Sequence, residues 1–338
     1  MEVKETLYNK YRPKTLDEVV GQTAVIKTIR RQVEQGEIRN SYLFIGPTGT
    51  GKTTTARIFA TLINEGVAEF EEIDAGSNGS VDAARELVEK AKERSLVAKY
   101  KIIILDECHL MSVQAWNAML KLLEEPPTYT IFMFCTTDPQ KIPATIMNRV
   151  MKFTLTKIDN ESIKTRVKEI CVAEGYTYEQ AAIDYIVKIS NGGLRDALSN
   201  LEKVVVDNFI SVENTLACLG QFSYDLCFKL VNAIIDGNKQ VVLEELNTLY
   251  FNGSDLKQFI DYFTAFILDL NKYIIFRDLS CTMLPINLKE QADYAIQIDN
   301  AQNYYSFLLH SLQDLRLNLR TDTQIKSSVE IGFLKLIG

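Results

Sequence analysis

What this chain lacks narrows its class first. No apolar run in its 338 residues approaches the roughly eighteen residues that a bilayer crossing needs. Its first residues, Met1-Glu2-Val3-Lys4-Glu5, have none of the character of a signal peptide. The expectation is a soluble, cytoplasmic protein with no membrane partner. No two of the six cysteines, at 108, 135, 171, 218, 227 and 281, make a CxxC pair, and several lie in apolar strand-like or helix-like stretches. Buried, reduced thiols are therefore expected in place of disulfides or zinc ligands. Disorder is excluded as well, because 46% of the residues are hydrophobic and the length leaves room for two or three domains with real cores.

A general excess of positive charge is also missing, since the net charge is −7. Its distribution matters more than its sum. Residues 1–157 carry 21 Lys and Arg against 20 Asp and Glu, whereas residues 158–338 carry 16 against 24. The acidity belongs to the C-terminal half, so contact with nucleic-acid phosphates falls to the N-terminal one.

What is present centres on Gly46-Pro47-Thr48-Gly49-Thr50-Gly51-Lys52-Thr53, which lies between the apolar run Ser41-Tyr42-Leu43-Phe44-Ile45 and a helical stretch beginning at Thr54. This is a complete phosphate-binding loop in its confirming strand and helix context. Glycines at 46, 49 and 51 let the backbone turn tightly enough for consecutive N–H groups, with Thr48, Thr50 and Thr54 alongside, to face phosphate oxygens at a helix N-terminus. Lys52 is placed to reach the β- and γ-phosphates of ATP, and the Thr53 hydroxyl to bind Mg²⁺.

A second run, Lys101-Ile102-Ile103-Ile104-Leu105, has the continuous apolarity of a strand buried on both faces, and it ends in Asp106-Glu107. In a parallel sheet the phosphate loop lies at that same end. Asp106 can then hold the Mg²⁺ shell while Glu107 polarises the attacking water, which points to hydrolysis as well as binding. His109 is read as structural. Ile131-Phe132-Met133-Phe134-Cys135 is another buried strand, and Thr137 beyond its tip is chosen to touch the γ-phosphate or the water. The helix Trp116 to Glu124 stops at Pro126-Pro127. A short helical segment, 142–149, ends in Arg149 before a strand over 150–155.

Flanking segments are less specific. Residues 8–22 precede any strong periodic element and are read as rigid and extended. Their Tyr, Arg and Pro side chains can flank a purine and Val20-Gly21 can meet its edge, although by itself the segment reads more readily as a plain surface arm. Val25 to Glu34 reads as an amphipathic helix and Phe70 to Asp74 as a short strand. The polar turn Ala75 to Asp82 leads into a helix over 81–94, where Ser77, Asn78, Ser80 and Arg85 surround free N–H groups. A solvated helix start is the ordinary alternative there. From Lys157 onward the sheet signals cease, and helices are expected at 160–173, 178–190, 194–206 and 212–219, ending at Gly220. Arg195 can reach back to the nucleotide or make a surface ion pair. From Tyr224 a second, wholly helical block follows, suited to packing or subunit contact. The fold expected is α/β, a parallel sheet covered on both faces, followed by helical domains.

Together these stretches resemble the AAA+ clamp-loader ATPases, in particular the gamma/tau subunits of bacterial DNA polymerase III. The matching residues are the Tyr11-Arg12-Pro13 arm with Val20-Gly21-Gln22, the phosphate loop, Asp106-Glu107-Cys108-His109, Leu122-Leu123-Glu124-Glu125-Pro126-Pro127, Thr136-Thr137-Asp138-Pro139-Gln140-Lys141 and Gly193-Leu194-Arg195-Asp196-Ala197-Leu198. The resemblance implies an AAA+ nucleotide-binding domain over 1–157, a helical lid over 158–220 and a helical collar for oligomerisation over 221–338. It implies ATP and Mg²⁺ as cofactors, with Tyr11, Arg12, Pro13 and Val20 at the nucleotide. Thr137 would be the first sensor, Arg195 the lid's sensor arginine, and Arg149 the finger that enters a neighbouring subunit's site. Asn78, Ser80, Arg85, Lys121 and Thr145 would face template-strand phosphates, and the first two are uncharged where relatives often carry basic residues. The partners implied are other loader subunits in a pentameric ring, a sliding clamp and primer-template DNA.

Three departures stand out. Asn148-Arg149-Val150 replaces the usual Ser-Arg-Cys. Asn64-Glu65-Gly66-Val67-Ala68 fills the place of a four-cysteine zinc module, so no zinc is expected. Gly338 falls near the expected end of the collar, so the long extension of the longer family form is expected to be missing. The competing expectation is an AAA+ helicase or branch-migration motor, which predicts a C-terminal winged-helix domain.

Overall fold

The structure, a computed structural model, describes residues 5–219, 222–282, 284, 288–320 and 322–337. The chain divides into two compact units, Met1–Thr215 and Leu216–Gly338. The proposed nucleotide-binding segment and the lid as far as Thr215 thus fall in one unit, and the 220/221 boundary lies outside the described residues.

In the first unit the elements run α1 (Leu7–Lys10), α2 (Thr23–Gln35), β1 (Ser41–Ile45), α3 (Lys52–Ile63), β2 (Glu71–Asp74), α4 (Ala75–Asn78), α5 (Val81–Lys90), β3 (Lys101–Asp106), α6 (Val113–Glu124), β4 (Thr130–Thr136), α7 (Ala144–Met147) and β5 (Met151–Thr154). These five strands form one parallel sheet in the order β2-β3-β4-β1-β5. Alternation along each strand sends successive side chains to opposite faces. On β3, Ile103 and Leu105 join α5 and α6 in a cluster around Trp116, while Ile102 and Ile104 join α2 and α3 around Phe59. Helices therefore cover both faces, and the central strands are buried as a doubly covered parallel sheet requires.

α8 (Asn160–Glu174), β6 (Thr177–Tyr178), α9 (Gln180–Ile189), α10 (Leu194–Val204), β7 (Phe209–Ile210) and α11 (Val212–Leu219) follow. Three local expectations are corrected here. Sheet structure does not cease after residue 157, because Thr177 and Tyr178 pair in parallel with Phe209 and Ile210. A two-residue ladder is too short to leave a hydrophobic period in the sequence. The polar turn at 75–82 contains the helical turn α4, because the Asp74 carboxylate caps it by accepting from Gly76 N–H at 2.9 Å. The arm at 8–22 is not extended throughout, since α1 and a single turn at Leu16–Glu18 bury Leu7 and Leu16.

The second unit holds α12 (Tyr224–Ile235), α13 (Lys239–Phe251), α14 (Leu256–Phe276), α15 (Lys289–Ala295), α16 (Ala301–Asn318) and α17 (Ile325–Leu336). Among the described residues it contains no strand. Its core is aromatic: the Phe263 ring lies 5.8 Å from Phe259, 6.1 Å from Phe266 and 5.4 Å from Phe333, centroid to centroid. Phe263 is fully buried. Truncation there removes ring contacts and leaves a cavity, so Phe263→Ala is expected to destabilise the second unit by about 3–5 kcal/mol. Chemical denaturation followed by helical circular dichroism measures it; a loss below about 1 kcal/mol would contradict this packing.

Candidate nucleotide-binding site

The site is built at the C-terminal end of the sheet, where β1 leads through the loop into α3. Gly49 and Gly51 adopt φ of 74° and 95°, the left-handed region that side-chain-bearing residues rarely enter. Gly51 caps α3, so the first amides of that helix face the cleft. The loop is also held from outside: the Leu194 N–H donates to the Gly49 carbonyl at 3.1 Å, joining the start of α10 to the phosphate loop. A Cβ on Gly49 would sit 3.1 Å from the Gly193 Cα. The two backbones approach this closely because neither residue carries a side chain.

A cleft of about 310 Å³ opens here. Of the residues expected at nucleotide or metal, it is lined by Tyr11, Arg12, Pro13, Val20, the run Thr48 to Thr54, Asp106, Glu107 and Arg195. Gly46 lies behind it, donating its N–H to the Thr136 carbonyl at 3.2 Å. Thr137 does not line the cleft, but its hydroxyl donates to Glu107 Oε2 at 3.2 Å and so bears on the acid that does. Arg149 is elsewhere, exposed, and paired with Glu124.

Lys52 is almost fully buried, and Nζ donates to the Pro47 carbonyl at 3.0 Å. Burial lowers its pKa below that of an ordinary lysine, a shift opposed by Glu107, Cys135 and Asp106. The Thr53 hydroxyl donates to Asp106 Oδ2 at 2.7 Å. One hydroxyl and one carboxylate converging beside a phosphate loop are an all-oxygen donor set, and they fit Mg²⁺, which takes one or two protein carboxylates and completes its shell with phosphate oxygens and water. Glu107 has a left-handed φ of 46°, a cost that this non-glycine residue bears at the strand tip. Its Oε2 also lies 3.3 Å from His109 Nδ1. The reading of His109 as structural missed that contact, which arises because the turn after β3 folds back on the acid.

Other residues escaped the sequence reading. Tyr8 lines the cleft, and the Arg195 guanidinium stacks over its ring at 4.9 Å. Arg57 reaches the cleft one helical turn beyond Thr53 and makes a bidentate pair with Glu72, at 2.5 and 2.7 Å. Its place four residues after Thr53 on α3 is a signal that could have found Arg57, but its partner on β2 is a tertiary fact. Burial lowers the Arg12 pKa first, and the nearby Arg57 guanidinium lowers it further. The residues expected at DNA are all exposed. The Asn78 amide donates to the Asp74 carbonyl, the Ser80 hydroxyl caps α5 by accepting from Ala83 N–H, and Arg85 pairs with Asp82.

Known proteins resemble this chain in sequence and in fold. Residues 67–159 match the family described as DNA polymerase III, delta subunit. The chain is 35% identical to DNA polymerase III subunit tau of Bacillus subtilis (strain 168) over 292 residues, covering 80% of this chain and 52% of that protein. It is 28% identical over 338 residues to DNA polymerase III subunit gamma/tau of Mycoplasma genitalium, covering 92% of this chain and 55% of that one. Over most of its length the chain is therefore similar to DNA polymerase III gamma/tau subunits. It spans about half the length of the curated relatives it matches. Among solved structures, the Thermotoga maritima RuvB Holliday junction branch migration motor superposes with a TM-score of 0.52 over 67% of this chain and 79% of that one. At 21% identity that likeness shows the AAA+ P-loop fold alone.

The arm is anchored beside the cleft by one carboxylate: Glu174 Oε1 accepts from Lys10 Nζ and from the Tyr11 hydroxyl, both at 2.6 Å. Glu174→Ala removes the acceptor that both donors share. Amide hydrogen exchange at residues 10 and 11 is expected to quicken severalfold while that of β3 stays unchanged. Unchanged exchange in the arm would show that Glu174 does not anchor it.

Proposed function

We propose that the chain is the ATP-hydrolysing motor subunit of a DNA sliding-clamp loader. The observation that carries this reading is the convergence of Thr53, Asp106 and Glu107 on one phosphate-loop cleft, roofed by Arg195, in a chain whose relatives are DNA polymerase III gamma/tau subunits. Lys52 and the loop amides bind the β- and γ-phosphates of ATP. Thr53 and Asp106 hold Mg²⁺, which neutralises charge on the phosphate oxygens when bound. Glu107 orients and deprotonates the attacking water, and Thr137 fixes the Glu107 carboxylate. Tyr11, Arg12, Pro13 and Val20 enclose the base, and Arg149 completes the site of the adjacent subunit, because an arginine acting in trans stabilises the charge of phosphoryl transfer.

On this reading residues 1–157, 158–220 and 221–338 are the nucleotide-binding, lid and collar domains, and the working assembly is a pentameric cytoplasmic ring with other loader subunits. ATP binding opens the clamp and grips primer-template DNA through Asn78, Ser80, Arg85, Lys121 and Thr145, and hydrolysis releases both. The branch-migration reading is less well supported. A winged-helix domain carries a β-hairpin, and the described residues of the second unit contain no strand.

The test is ATP turnover with and without primed DNA and clamp. Stimulation by the pair is expected, and its absence would count against a loader. Glu107→Gln is expected to keep ATP binding and to lose turnover by at least about a hundredfold, since it removes the base but not the loop. Loss of binding to the same extent would show that Glu107 has another role.

A further inference from the structure

Arg149 is held by two groups of its own chain. Its Nη2 donates to Glu124 Oε1 and its Nη1 to the Thr145 carbonyl, each at 2.5 Å. The two acceptors come from different elements. Glu124 is the last residue of α6, which stops there because Pro126 and Pro127 cannot continue it, and Thr145 belongs to the single turn α7. Two hydrogen bonds from separate elements fix the plane of the guanidinium. They use two of its five N–H groups, so three remain for the oxygens of a phosphoryl group.

We propose that Glu124 is the positioning residue for Arg149, holding the guanidinium in the pose in which it is delivered to the adjacent subunit's nucleotide. This rests on the reading of Arg149 as a trans-acting arginine. A flexible surface arginine has many rotamers, and most of them point away from any neighbour. Pinning the side chain at two points removes that freedom before the subunits meet, which is how preorganisation raises the rate of a step that depends on geometry. The pair does little for folding: the Arg149 and Glu124 side chains are 34% and 48% exposed, and exposed ion pairs contribute little to stability. Its effect therefore falls on turnover. The opposite reading makes Glu124 a latch that competes with the phosphoryl group. The N–H groups still free on Arg149 argue against it, because phosphoryl oxygens can bind without displacing the carboxylate.

The experiment measures ATP turnover by the full chain assembled with its loader partners on primed DNA and clamp. Glu124→Ala is expected to lower kcat about tenfold, with KM for ATP and the thermal midpoint unchanged. Glu124→Gln, which keeps an acceptor oxygen in the same place, is expected to recover most of the rate. Glu124→Ala combined with Arg149→Ala is expected to be no slower than Arg149→Ala alone, because a residue acting only through Arg149 has nothing further to lose. A raised kcat in either Glu124 variant would establish the latch and overturn the proposal. An unchanged kcat in Glu124→Ala, or an additive loss in the double variant, would overturn it too and leave the trans role of Arg149 standing. In assemblies that mix subunits, Arg149→Ala should silence the neighbour's site. If it silences only its own, the trans reading itself fails, and the Glu124 proposal fails with it.

Discussion

Two left-handed glycines, at 49 and 51, turn the chain out of a fully buried strand and start a helix with its amides exposed to the cleft. The rest of the first unit is arranged around that turn. Because β1 lies between β4 and β5 with β3 one strand further on, the tip of β3 ends within hydrogen-bonding distance of the helix that the turn begins. The same turn leaves the Gly49 carbonyl pointing outward, and the first amide of α10 takes it. A single backbone reversal thus sets where the loop amides face, where the acids stand and where the helix that closes on the loop begins.

The cations of the unit follow a common pattern. Lys52 is almost fully buried and rests on the Pro47 carbonyl, Arg195 lies over the Tyr8 ring, and Arg149 is held by Glu124 and the Thr145 carbonyl. Lys52 is desolvated, and a buried positive charge without an acceptor is costly; Arg195 and Arg149 are exposed, and each still has a partner in its own chain. The acceptors are weak or exposed beside a triphosphate, whose oxygens carry full charge. Such cations are stable as the chain stands and, on the function proposed for the chain, remain available to phosphate.

Glu107 combines strain and contact. Its left-handed φ would be avoided at an ordinary strand end, yet the carboxylate is met by Thr137 from beyond β4 and by His109 from the turn that follows. Two partners from separate segments hold one oxygen, so a few degrees of movement in either would shift the acid relative to the phosphate loop. The neighbouring Asp106 is tied instead to α3 through Thr53. Adjacent carboxylates are thus attached to different parts of the unit.

Much of this was legible in the chain itself. The phosphate loop, the apolar run ending in Asp106-Glu107 and the proline stop after Glu124 are local patterns, in which glycine freedom, strand burial and helix termination act over a few residues. They were enough to expect the α/β fold and most of the cleft. What stayed hidden has no local signature. The two-residue ladder of Thr177–Tyr178 with Phe209–Ile210 is too short for any period, and Tyr8 beneath Arg195, Glu72 against Arg57 and His109 against Glu107 are pairings across a folded surface. Sequence determines which groups can bind phosphate, metal or water, because that is set by side-chain type and local backbone. Tertiary structure alone decided which of them share an oxygen, because strand order and the closing of α10 onto the loop bring together residues that the chain keeps far apart.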